Sequence, residues 1–140
     1  MIELVLAVTI LSIAVVAVIG ALATAVRISD VHRKQATAGA AVRAFAEALQ
    51  TRVSTGGYVD DTCATEASYD GYYDAPAGFV ADVLAVKFWS PATSTFVTSC
   101  PDSGIQLVTI EVASDPGRSV VETLDVVLRK PCRTGDAACA

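Results

Sequence analysis

The chain has 140 residues, the length of a single domain. Apolar residues make up 53% of it and charged residues only 18%, against roughly 45–50% and 25% in an average globular domain. From Leu4 to Val26 there is no charged residue, and this run is longer than the about 20 apolar residues that span a bilayer. The composition therefore argues against a wholly cytosolic, soluble enzyme.

Charge is distributed unevenly along the chain. Residues 1–53 carry five Lys and Arg against three Asp and Glu, whereas residues 54–140 carry five against twelve. An acidic C-terminal part repels phosphate backbones, so no specific nucleic acid is indicated as its partner. Binding through a local basic patch on the helix stays open.

The first predicted element is one long helix from about residue 2 to residue 54. Its first half is apolar all round, and its second half is amphipathic, with one apolar stripe at helical spacing. The stripe consists of Val31, Ala38, Val42, Phe45 and Leu49. Gly56-Gly57 is the first clear stop signal. The pattern divides the chain into an apolar membrane or filament-core half (1–26), an amphipathic half (27–54) and a head domain (55–140).

Two residues of the apolar half are candidate assembly residues. Glu3 is an acid at the edge of an apolar helix, where burial is costly without a partner. The alternative is a carboxylate at the membrane interface that complements the helix dipole. Gly20 lies among β-branched residues and favours local unwinding of residues 12–20 when neighbouring chains satisfy the backbone. The alternative for Gly20 is a small residue at a helix–helix contact.

The head is predicted to be a four-stranded antiparallel sheet. After a polar loop at residues 58–78, strands are expected at 80–89, 95–100, 105–113 and 120–129. Residues 114–118 read as the turn of a hairpin between the last two strands. The apolar stripe of the helix can cover the apolar face of this sheet, so the fold class is α+β.

Four cysteines lie in the head: Cys63, Cys100, Cys132 and Cys139. Their spacing matches neither a zinc site nor a C-x-x-C redox motif. An even count behind a membrane segment is typical of two disulfides in an oxidising compartment, although four free buried thiols are the alternative. Of the three possible pairings we favour Cys63–Cys100 with Cys132–Cys139, because the latter closes a short terminal loop.

The charges that flank the apolar run predict an orientation of the head that conflicts with the disulfides. Arg27, Arg33 and Lys34 follow the apolar run and no basic residue precedes it, so the positive-inside rule places the head in the cytosol. Disulfides are unexpected there. A basic leader removed upstream of Met1 would resolve this conflict.

The N-terminal residues resemble the start of mature type IV pilins and pseudopilins: Met1-Ile2-Glu3-Leu4-Val5-Leu6-Ala7-Val8-Thr9-Ile10-Leu11. In that family a prepilin peptidase removes a short basic leader that ends in Gly, and the mature chain has glutamate fifth. Here the glutamate is third, so the chain starts two residues short of that pattern, and its N-terminus and N-methylation stay open. The resemblance is strong over residues 1–26, holds in outline to residue 54, and is only architectural beyond.

The resemblance implies a structural subunit that polymerises helically into an extracellular type IV pilus. Glu3 would neutralise the N-terminal amine of an adjacent subunit and set the register, and Gly20 would lie where many filament subunits lose helix. The subunit would be a single-pass protein of the cytoplasmic membrane before assembly. Its partners would be further copies of itself, the prepilin peptidase and the assembly machinery. The alternatives are a pseudopilin of a type II secretion or DNA-uptake system, and a monomeric membrane-anchored binding protein.

No catalytic, metal or cofactor site is expected. The single histidine, His32, has no acid, nucleophile or second ligand placed with it. Asp60, Asp61, Asp70 and Asp74 could supply oxygen ligands for calcium, but their spacing favours solvated acids. The loop tyrosines Tyr69, Tyr72 and Tyr73 are expected to pack on the sheet rather than contact a partner.

Overall fold

A computed structural model describes residues 2–59, 63–100, 102–116 and 119–132. It contains one long helix and four strands in the described part of the chain. Their bounds are α1 Ile2–Arg52, β1 Phe79–Ser90, β2 Thr95–Val97, β3 Ile105–Ser114 and β4 Val121–Arg129. The predicted α+β fold, a long N-terminal helix with a four-stranded antiparallel sheet, is confirmed.

The chain divides into two compact units, Met1–Lys34 and Gln35–Ala140. The first unit is helical throughout its described residues, and its side chains are exposed as far as Arg33. Its hydroxyl side chains are satisfied locally: Thr9 and Ser12 each donate to the carbonyl oxygen four residues earlier, at 2.7 Å. The helix therefore presents an apolar surface with no unpaired hydroxyl at these two positions.

In the second unit the strand order is β2-β1-β3-β4, with every neighbouring pair antiparallel. The pairing of β1 with β3 shifts between Val83 and Ala85, so Leu84 forms a bulge. Side chains alternate between the two faces of a strand, and the extra residue reverses which positions face the core. Val83 is buried before the bulge and Phe88 after it.

The core of this unit lies between residues 38–53 of the chain and one face of the sheet. Phe45 and Leu49 are at most 1% exposed and belong to the same apolar cluster as Val108 and Ile110 of β3. The predicted stripe is wrong at one position, because Val31 is 40% exposed and lies in the first unit. Coverage of the sheet therefore begins at Ala38, which is fully buried.

Two element ends differ from the predictions. α1 ends at Arg52 and continues as a π-helical turn, Val53–Gly57, in which Gly56 adopts a left-handed φ of 106°. Glycine allows this conformation without steric cost, which explains why the helix stops here. β2 is also shorter than the predicted 95–100: it ends at Val97, and Cys100 lies outside the sheet, where it is bonded to Cys63.

Candidate membrane and assembly surface

The first unit exposes a continuous apolar surface. Its large side chains between Ile2 and Val26 are 49–82% exposed. The helix is long and apolar enough to cross a membrane, and no residue of its most apolar window is buried within the chain. A folded monomer rarely exposes apolar area on this scale in water. The segment is therefore consistent with a membrane anchor or a signal segment.

Glu3 lies in the first turn of α1, with its side chain exposed. A carboxylate in this position complements the positive end of the helix dipole. The next charged residue is Arg27, 24 residues later. At 1.5 Å per residue the two lie about 36 Å apart along the helix, slightly more than the ~30 Å hydrocarbon core of a bilayer.

Gly20 lies in an uninterrupted stretch of α1. A Cβ built on it meets no atom within 4 Å, and the Thr24 hydroxyl donates to its carbonyl oxygen at 3.0 Å. Nothing in the described structure of the isolated chain requires glycine at this position. Unwinding near Gly20 in an assembly of several chains stays a prediction.

A belt of basic residues follows the apolar segment. We use the term basic belt for Arg27, Arg33 and Lys34, which lie in the last turns of the first unit. Lys34 forms a 3.2 Å ion pair with Asp30, one turn earlier. The three cations and this acid leave a local surplus of positive charge. His32 is exposed beside them, as predicted for a solvated position.

The head contains the predicted disulfide between Cys63 and Cys100. It joins the loop that follows the helix to the segment between β2 and β3. Cys132 is also disulfide-bonded, while Cys139, its predicted partner, lies outside the described residues. Cys63 and Cys100 are 37 positions apart in the sequence, so their bond closes a long loop and constrains a large part of the unfolded head.

A buried polar network lies on the inner face of β3, and its centre is Gln106. The side-chain amide of Gln106 donates to the Val59 carbonyl at 2.9 Å and to Asp102 Oδ2 at 2.6 Å. Its Oε1 accepts a 2.7 Å hydrogen bond from the hydroxyl of the fully buried Tyr69. Tyr58 also donates to Asp102 Oδ2, at 2.6 Å. The network thus fixes the loop after the helix against the sheet.

Gln106 and Asp102 were not singled out from the sequence. Gln106 is a polar residue at an inward position of an alternating strand, and this is the one signal that could have drawn attention to it. Asp102 also accepts a 2.8 Å bond from the Gly104 backbone N–H, which shapes the turn into β3. Both residues satisfy backbone and side-chain groups within the head, so their role is structural.

The loop tyrosines pack inside the head, but the predicted packing on the sheet holds only for Tyr69, which bonds to Gln106 of β3; Tyr72 and Tyr73 contact the helix. Tyr73 stacks on Phe45 with ring centroids 5.4 Å apart, and Tyr69 meets Tyr72 edge-on at 6.5 Å. The guanidinium of Arg52, at the end of α1, lies 5.2 Å from the Tyr72 ring centre. These contacts secure the loop to the residue 35–52 part of the helix.

The acidic residues of the loop do not assemble a cation site among the described residues. Asp70 Oδ1 accepts a long hydrogen bond, 3.4 Å, from the Val83 backbone N–H beside the β1 bulge. Asp74 is exposed, and Asp60 and Asp61 lie outside the described residues. Across the described ranges no group of three or more His, Cys, Asp or Glu side chains could hold a metal ion.

Comparisons with models of protein families, with curated proteins and with solved structures found no match for this chain.

Proposed function

We propose that the chain is a structural subunit that polymerises helically into a type IV pilus, with its apolar helix in the filament core. The observation that supports this most directly is an exposed apolar segment at the start of the helix with one acid, Glu3, in its first turn. A plain membrane anchor needs no acid at that position. A polymer of parallel helices gives the acid a partner in the next subunit.

In this proposal Glu3 forms an ion pair with the N-terminal amine of an adjacent subunit. Both groups are costly to bury alone, and each compensates the other when they meet in an apolar environment. Any axial offset between neighbouring helices that separates the two charges is therefore unfavourable. The pair thus selects one register, which is what a helical polymer needs.

Before assembly the same apolar surface holds the subunit in the cytoplasmic membrane. Lipid chains cover the exposed apolar residues there, and neighbouring helices replace the lipid in the filament. The head is then exposed to an oxidising compartment, where the Cys63–Cys100 disulfide is stable. The proposed partners are further copies of the chain, a prepilin peptidase and an assembly machine, and the final location is the cell surface.

The test is electron microscopy of material sheared from cells that express the chain, with mass spectrometry of its N-terminus. Long thin filaments composed of this chain support the proposal. The mass of the N-terminal peptide then gives the true start of the subunit and its methylation. Complete retention in the membrane fraction, with no filaments at any expression level, contradicts the proposal.

A monomeric membrane-anchored binding protein is the second candidate. It is favoured by the same apolar helix, which meets the requirement for a membrane span by length and composition. The two candidates differ in what they require of Glu3: an anchor tolerates its loss, whereas the filament does not. A pseudopilin of a secretion or DNA-uptake system shares the Glu3 requirement and differs in forming only short filaments.

A further inference from the structure

The basic belt has no role in the filament core as proposed above, and its position points to another ligand. It begins at the first charged residue after the apolar segment, about 36 Å along the helix from Glu3. When Glu3 lies at one interface of a ~30 Å hydrocarbon core, Arg27 lies at the level of the opposite headgroups. Arg33 and Lys34 lie about 9–10.5 Å further along, about one Debye length from the same layer, so their charge still acts on it.

The cations also lie on one side of the helix. At 3.6 residues per turn, Arg27 and Lys34 are separated by about 20° around the axis and Arg33 by about 120° from Arg27. Arg27 and Arg33 are exposed, and Lys34 is half-exposed. Asp30, the one acid among them, is paired with Lys34, so the belt keeps a net positive charge.

We propose that the basic belt binds the anionic headgroups of phospholipids at the membrane surface, on the side of the head domain. Basic residues beside a membrane span are attracted to anionic lipids, and this attraction falls off within a Debye length. Apart from Asp30, which pairs with Lys34, lipid headgroups are the anions that the belt meets at this depth of the membrane. The inference rests on the membrane-stored form in the proposed function but not on the existence of a filament.

The test uses the full-length chain in vesicles of equal parts phosphatidylglycerol and phosphatidylethanolamine. The chain is extracted with just enough mild detergent to keep its bound lipids, and the ratio of the two lipids is measured by mass spectrometry. The wild-type chain should retain an excess of phosphatidylglycerol that decreases when the vesicles are prepared in high salt. Each basic residue near an anionic surface strengthens binding to it about five-fold. The double substitution Arg27→Gln with Arg33→Gln should therefore bring the ratio of phosphatidylglycerol to phosphatidylethanolamine toward one.

The matched control is Arg43→Gln with Arg129→Gln, which removes two exposed cations from the second unit. It should leave the lipid ratio at the wild-type value. An equal loss in the control, or a wild-type ratio of one, overturns the proposal. If the wild-type ratio is one and the chains instead associate in a salt-sensitive manner, the belt binds the acidic head of another copy.

This experiment is independent of filament formation. If the lipid preference depends on Arg27 and Arg33 but the chain never forms filaments, lipid binding by the belt is supported and the pilus function is contradicted. Filaments formed by a chain without any lipid preference support the pilus function and contradict lipid binding by the belt.

Discussion

The hydroxyl of Tyr69 donates a 2.7 Å hydrogen bond to Oε1 of Gln106, and neither residue is exposed to solvent. The two residues are 37 positions apart, one in the loop after the helix and the other in the central strand β3. The bond therefore determines how the loop lies on the sheet. It also satisfies a side-chain carbonyl that has no access to water.

Replacing this tyrosine tests the buried network. Tyr69→Phe keeps the ring and leaves Gln106 Oε1 without its donor, so we expect the free energy of unfolding to fall by about 1–3 kcal/mol. Urea unfolding of the full chain in mild detergent, followed by the fluorescence of Trp89, measures the loss. The chain contains no other tryptophan.

Tyr73→Phe is the control for this substitution. Its ring stacks on Phe45, and its hydroxyl makes no hydrogen bond within the described residues. We expect less than about 0.5 kcal/mol of change for the control. Equal effects of the two substitutions would show that the Tyr69–Gln106 bond contributes nothing specific.

Removing the Cys63–Cys100 disulfide tests its contribution to the stability of the head. A sequence separation of 37 corresponds, in the chain-entropy model, to about 4 kcal/mol at 25 °C. Cys63→Ser with Cys100→Ser should lower the free energy of unfolding by about this amount, measured in the same urea titration. A loss below ~1 kcal/mol would mean that the bond constrains little of the unfolded chain.

The pairing of all four cysteines is checked by peptide mapping without reduction. We expect linked peptides that contain Cys63 with Cys100, and Cys132 with Cys139. Four free thiols in freshly isolated protein would contradict both the pairing and the oxidising compartment.

The position at which the helix begins to cover the sheet is tested by two truncations on the same predicted stripe. Phe45→Ala removes a side chain that is 1% exposed and should cost about 3–5 kcal/mol of unfolding free energy. Val31→Ala changes a residue that is 40% exposed, and we expect a change within about 0.5 kcal/mol. If both variants lose several kcal/mol, Val31 is packed in the core and is not exposed.

The helix and the sheet could be predicted because their apolar periods, 3.6 and 2, are local properties of the sequence. The bulge at Leu84 could not, because residues 79–89 are mostly apolar and lack strict alternation. Val31 has the same chemistry as the buried positions of its stripe, so its apolar side chain alone does not reveal that it is exposed. β2 ends at Val97, three residues before Cys100, whose bond to Cys63 is a long-range contact that the local sequence does not reveal.

The polar network was beyond prediction for the same reason. Gln106 bonds to Val59 and Tyr69, which are 47 and 37 residues away in the sequence. Single positions such as these show no local pattern until the fold brings them together. Glu3, in contrast, is prominent because it is the only charged side chain in the 26 residues of the apolar half.

The most direct test of the central claim is filament yield for Glu3→Ala compared with Asp30→Ala. Both substitutions remove one acid from the first unit, but only Glu3 lies at the end of the apolar helix. Filaments sheared from cells are counted by electron microscopy, and the total amount of each variant in the membrane is measured beside them. We predict that Glu3→Ala abolishes or severely reduces filaments while Asp30→Ala and the membrane amounts stay near wild type. Normal filament yield from Glu3→Ala would contradict the register role of Glu3.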